Sequence, residues 1–267
     1  MLAGMKRAAL DASISGRLRV PIALDVLLSH GTRLYTTWGT GGRVLFLCLL
    51  LMYFLGARAH ELFENDAGQV HPVHCLTRGD VAFFADNRQL DVHVRPLATR
   101  VEFLFRGHKG DQSQHGCVLM RTRDSATGPR SGLEADGGAV ALMVELMSYN
   151  SSLPESAPLA TYVEKGVRRV WTYRQATAAL RQVAESAGMN PKEVALHSLR
   201  IGMATVLGAG GDVADRVIQR EGRWKSGIDM YKVYTRNNID DSISVSKKLV
   251  NAKKQKQKGP GAGTKWD

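Results

Sequence analysis

Val44 to Leu55 is an unbroken apolar run of 12 residues, VLFLCLLLMYFL, and no other segment restricts the fold so strongly. A helix of that composition has no polar face, so protein or lipid must surround it on every side. The run is shorter than the roughly 18–20 residues that cross a bilayer, which favours a buried central helix. That helix is expected from Arg43 to about Glu64, after a loop marked by Gly39, Gly41 and Gly42. A chain of 267 residues can wrap one such helix in a single core with a small appendage.

The remaining segments suggest what does the wrapping. Val20-Pro21 to His30 reads as a short helix. Asp80 to Phe84, Leu90 to Val94, Thr99 to Arg106 and Gly116 to Met120 are short β-prone pieces, and the last two form a hairpin turning through Gly107 to Asp111. A polar loop, Arg121 to Gly138, leads to a helix over about Ala139 to Met147, and Asn150 to Pro158 is another loop. Thr172 to Ala187 has helical apolar spacing, a capping threonine and a terminating Gly188. Further helices are expected from Ser198 to Ala209, from Val213 to Gln219 with Asp212 as its cap, and from Ile228 to about Arg236. The fold class is therefore α+β, mostly helical, with one small antiparallel sheet.

Charge adds a weaker constraint. The net charge is +11, but Lys247 to Asp267 holds seven lysines against one aspartate, so this low-complexity tail carries more than half of the excess. The rest of the chain has to argue for a polyanionic partner by its motifs. Three cysteines are too few and too irregular for a disulfide framework and fit a reducing compartment. The start, MLAGMKRAALDASISG, has no apolar secretory core. The expectation is a protein that is neither secreted nor transmembrane.

One stretch carries chemistry. His197-Ser198-Leu199-Arg200 puts an imidazole and a guanidinium on one face of a helix start. An arginine fork clamps two phosphate oxygens, and a histidine exchanges protons near neutral pH. Taken alone, such a pair is most often a structural contact. It is followed by Gly210-Gly211-Asp212, then Glu221-Gly222-Arg223-Trp224-Lys225-Ser226, then Tyr231-Lys232-Val233-Tyr234-Thr235-Arg236.

The string HSLRIGMAT…GGDVADRVIQREGRWKS…YKVYTR resembles the catalytic domain of tyrosine recombinases (phage-type integrases), in particular the branch found in eukaryotic mobile elements. That family also needs an arginine just after a buried helix and a lysine in a β-hairpin turn, and Arg58 and Lys109 stand in the right order. Glu61, three residues after Arg58, is a ready salt-bridge partner. The resemblance implies DNA strand cleavage and rejoining through a 3′-phosphotyrosyl intermediate, in site-specific or mobile-element recombination and integration, without metal or other cofactor. It assigns Arg58 and Arg200 to the phosphate, His197 to the phenol proton, Lys109 to the leaving oxygen, Trp224 to a phosphate hydrogen bond and Tyr234 to the nucleophile. Arg223 is the alternative to Trp224, and Tyr231 the alternative to Tyr234. The implied partners are double-stranded DNA and further copies of the chain, as dimer or tetramer, with no membrane and no small molecule. The implied location is the nucleus in a eukaryote and the cytoplasm otherwise.

The sequence departs from the family pattern in two places. Arg223 follows Gly222 where the family has His or Trp, and the stretch from Trp224 to Tyr234 is longer than usual. The implied organisation is a lead-in over residues 1–40, where the family has a longer core-binding domain, a catalytic domain over 41–246 and a tail over 247–267. The short lead-in points to a fragment, a truncated gene product or a remnant that keeps the fold and binds DNA without cutting it. Relaxation of supercoils, as by a type IB topoisomerase, shares the chemistry and has no further support. His71, His74, Cys75, His115 and Cys117 offer nitrogen and sulfur ligands, but their spacing matches no common zinc site. There is no GxxxxGK[ST] loop for ATP.

Overall fold

A computed structural model describes residues 19–107, 116–123, 138–209, 213–224 and 245–249. Lys109, Tyr231, Tyr234, the hairpin tip and the helix expected over 228–236 lie outside these residues.

The apolar run lies in α2, Arg33–Leu55, which follows the short α1, Leu24–His30. Every residue from Val44 to Leu55 is buried. By length and composition α2 could also cross a bilayer, yet 78% of its most apolar stretch is buried inside the protein, as in a core helix. It ends nine residues before Glu64, where Gly56 turns left-handed, and starts ten before Arg43, because the glycines do not form a loop. They allow a kink instead: Gly39 takes φ +52 and ψ −132, a conformation open essentially to glycine alone, and the helix resumes. The boundary expected at residue 40 thus falls within α2, and Ile22, Leu24, Leu27 and Leu34 belong to the common core.

Helices α3, Ala139–Tyr149, α4, Tyr173–Ser186, and α5, His197–Ala209, pack around α2 together with α1. Helix α4 is the most amphipathic and has the expected start. Thr172 accepts from the Gln175 N–H while the Gln175 side chain returns to the Thr172 N–H, a reciprocal cap. Helix α6, Asp215–Glu221, begins two residues later than expected, and Ala214 at its start makes no side-chain cap.

The sheet has the order β2-β1-β3-β4, all antiparallel, with β1 at Val81–Ala85, β2 at Arg88–Gln89, β3 at Arg100–Phe105 and β4 at Cys117–Thr122. Val101, Phe103 and Phe105 alternate inward and meet α3. The strand expected over Leu90 to Val94 is instead followed into a 3-10 segment, Val92–Leu97, where Pro96 has no N–H to donate to a ladder. Arg121 and Thr122, expected in a polar loop, are buried strand residues. A second hairpin, β5 at Thr161–Glu164 and β6 at Val167–Val170, had no counterpart in the sequence reading. Residues 245–249 form a helical turn whose Val245 and Leu249 are fully buried, with Ser246 Oγ accepting the Thr122 N–H at 3.1 Å. The tail expected from residue 247 therefore begins inside a packed segment.

Candidate functional site

The site is built on the C-terminal end of α2. A helix leaves its last carbonyls without intrahelical partners and carries a partial negative charge there. Gly56 closes the helix in the left-handed conformation, φ +53, and the chain turns away extended through Arg58 into a 3-10 turn, Ala59–Glu61. The buried carbonyls at the helix end, of Phe54, Leu55 and Gly56, are each met by a guanidinium from a different element.

Arg121 on β4 donates to the Phe54 carbonyl from Nε at 3.0 Å and Nη2 at 2.8 Å. Arg223, after α6, reaches the Leu55 carbonyl at 3.1 Å. Arg200 on α5 donates to the Gly56 carbonyl at 2.6 Å and to the Gly222 carbonyl. Arg58 returns from its own turn, with Nη2 3.2 Å from the Arg223 carbonyl. Four guanidiniums thus converge on one helix end.

Two buried carboxylates balance them in part. Glu61 accepts from the Arg58 N–H at 2.7 Å, from Arg58 Nη1 at 3.1 Å and from Arg223 Nη2 at 2.5 Å. Burial opposes its charged form, but Arg223 and both donors of Arg58 outweigh that and hold the carboxyl below the ordinary range. Glu221 pairs with Arg121 at 2.7 Å, both fully buried, and with Arg220 at 3.5 Å. Positive charge remains in excess. Burial, then Arg58 and Arg223, push the Arg200 pKa down to about 9, so the group is still charged at neutral pH but held among like charges.

The structure brings together five of the residues singled out by sequence. Arg58, with its side chain 20% exposed, is the most accessible of the four arginines. Trp224 lays its ring against Arg200, with the guanidinium carbon 4.3 Å from the ring centre. Arg223 is buried, stacks on Phe105 at 3.8 Å and takes φ +52, a rare conformation for a side-chain-bearing residue. His197 is exposed at the start of α5, and partial desolvation of its ring, then Arg200, Arg58 and Arg19, lower its pKa. Lys109, Tyr231 and Tyr234 lie outside the described residues.

The sequence reading missed Arg121 and Glu221. Their partners lie 67 and 100 positions away along the chain, and no local pattern signals such contacts. Among the described residues no group of three or more His, Cys, Asp or Glu could hold a metal ion. His71 and His74 stack face to face, with ring centres 3.8 Å apart, and His71 Nδ1 accepts the Val73 and His74 N–H groups.

No family model matches the chain, and no curated protein or solved structure does either.

Proposed function

We propose that the chain is the catalytic domain of a tyrosine-type DNA recombinase, cutting and rejoining DNA through a 3′-phosphotyrosyl bond. The observation that carries this reading is that Arg58, from the turn after α2, meets Arg200 and Trp224 from distant parts of the chain in one cluster with surplus positive charge, with His197 one helical turn before Arg200 on α5. A phosphodiester in transit gains charge on its non-bridging oxygens, and preorganised guanidiniums meet that need.

In this reading the phenol oxygen of Tyr234 attacks phosphorus and the bond to the 5′-oxygen breaks. His197, whose pKa is lowered by partial burial and the neighbouring arginines, accepts the phenol proton. Lys109 donates a proton to the departing 5′-oxygen. The bond energy is kept in the phosphotyrosyl link, and rejoining reverses each transfer. Trp224 fits the family's Trp or His position better than Arg223, because Arg223 is committed to Glu61 and to the α2 carbonyls.

One observation favours a second reading, a DNA-binding protein of this fold that no longer cuts. Arg200 is 2% exposed and one N–H from each of its terminal nitrogens goes to a backbone carbonyl, so the helix end competes with a phosphate for this group. A DNA substrate nicked beside the cleavage point, which traps the covalent intermediate, separates the two. The enzyme gives a protein–DNA adduct that is lost in Tyr234→Phe and kept in Tyr231→Phe. Retention in Tyr234→Phe with loss in Tyr231→Phe moves the nucleophile. DNA binding with no adduct from the wild type supports the second reading.

A further inference from the structure

We propose that the β5–β6 hairpin enters a groove of double-stranded DNA; this rests on the DNA reading above and adds a contact surface to it. The hairpin is a rigid stalk at its base and a bare cationic ribbon beyond it. At the base, Thr161 and Trp171 are buried, the Trp171 indole donates to the Gly41 carbonyl at 2.9 Å, and Tyr162 stacks on Trp171. The next residue, Thr172, is the cap of α4. Beyond the base, every residue from Val163 to Arg169 is exposed.

The distribution of charge selects the partner. Residues 163–169 hold Lys165, Arg168 and Arg169 against a single carboxylate, Glu164. Glu164 pairs with Arg169 at 3.0 Å, but both side chains are more than half exposed, so the pair is weak and easily exchanged. Arg174, exposed in the first turn of α4, adds a fourth cation. Val163 pairs with Arg168 across the ladder, and Tyr162 with Arg169, so the two arginines project from opposite faces. Lys165 occupies the tip. A ribbon that lay along one phosphate strand would need its cations on one face. Cations on both faces and at the tip match a ribbon flanked by two phosphate strands.

The dimensions agree. Lys165 and Gly166 have φ +50 and +78, so the tip is a tight two-residue turn with both central residues left-handed. Two strands lie about 4.8 Å apart and four residues rise about 13 Å. The major groove of B-DNA, about 12 Å wide, admits such a ribbon. Val163 and Val167 offer small apolar surface where a charged side chain would meet base edges. The hairpin base is also tied to the chain just beyond the 3-10 turn that follows Arg58: the Glu64 N–H donates to the Trp171 carbonyl at 3.2 Å, and the Tyr173 N–H to the Glu64 carbonyl at 2.7 Å.

Binding of the full chain to a duplex DNA oligonucleotide, measured against salt concentration, tests this. The triple variant Lys165→Gln/Arg168→Gln/Arg169→Gln should bind at least about tenfold more weakly at 0.1 M salt, with a log–log salt slope smaller by about two to three. A control with the same charge change at exposed sites elsewhere, Arg33→Gln/Arg88→Gln/Lys192→Gln, should keep the wild-type slope. Both variants change exposed side chains, and equal thermal midpoints with wild type verify their folding. If wild type binds duplex DNA and the hairpin variant binds equally well, the hairpin inference is overturned while the DNA reading stands. Tighter hairpin-dependent binding to an RNA duplex of the same sequence overturns it in favour of another partner. If wild type binds no duplex DNA even at 0.05 M salt, the DNA reading falls and the inference falls with it.

Discussion

Two groups of arginines in this protein do opposite things with the same side chain. At the end of α2, Arg121, Arg200 and Arg223 are buried, and they donate to carbonyls that the helix cannot satisfy. On the β5–β6 hairpin, Arg168 and Arg169 project into water, and the one described ion pair is a surface contact with Glu164. A buried guanidinium is tolerable only where backbone acceptors and carboxylates replace its water. The first group is therefore part of the fold's stability before it is part of any chemistry, and the second is free to bind.

The sharpest test of that contrast is Arg121→Met. Among the described residues it leaves Glu221 buried with only the 3.5 Å contact to Arg220, and it removes the Arg121 donors of the Phe54 carbonyl. The expected loss is about 3–5 kcal/mol in urea unfolding, with a fall in thermal midpoint of roughly 10 °C. An unfolding curve equal to wild type would mean that the buried cluster does not hold the helix end.

Next in size is Glu61→Gln, which removes the carboxylate shared by Arg58 and Arg223 and should cost about 2 kcal/mol at neutral pH. The folded carboxyl titrates below the ordinary value of 4.5, so its contribution is present above that value and is lost as pH falls through the folded pKa. Unfolding measured from pH 6 down to pH 3 should show this acid loss in wild type and a flatter profile in the variant. Smallest is Arg168→Gln on the hairpin, where stability should change by no more than about 0.5 kcal/mol. A larger loss would show that the exposed cations also serve the fold.

The sequence carried the local half of this structure. Helix α4 was legible because its signals are its own: apolar spacing, the Thr172 cap and Gly188. The position of α2 was legible from Val44 to Leu55, but its start was hidden because Gly39 reads as a loop signal and acts as a kink. The β5–β6 hairpin was missed because its turn, Lys165-Gly166, lacks the Asn-Gly or Asp-Gly signature, and its exposed strands do not alternate apolar with polar. For the site, the order of Arg58, His197 and Arg200 was readable as a pattern, and Glu61 as the partner of Arg58. The burial of Arg200 and Arg223 was not readable, because it depends on where the end of α2 meets α5 and the turn after α6.

The proposed function requires the arginine cluster to act on phosphate and to do more than cap a helix. Arg58 separates these roles, because its described hydrogen bonds reach Glu61 and the Arg223 carbonyl rather than the carbonyls of α2. The direct measurement is the rate of covalent adduct formation on the nicked DNA substrate by wild type and by Arg58→Gln, with duplex affinity measured alongside. The variant should form adduct about 10²–10³ times more slowly while its affinity falls by roughly tenfold or less. Adduct formation by Arg58→Gln at the wild-type rate, or no adduct from a wild-type protein that binds the same DNA, would contradict the proposed function.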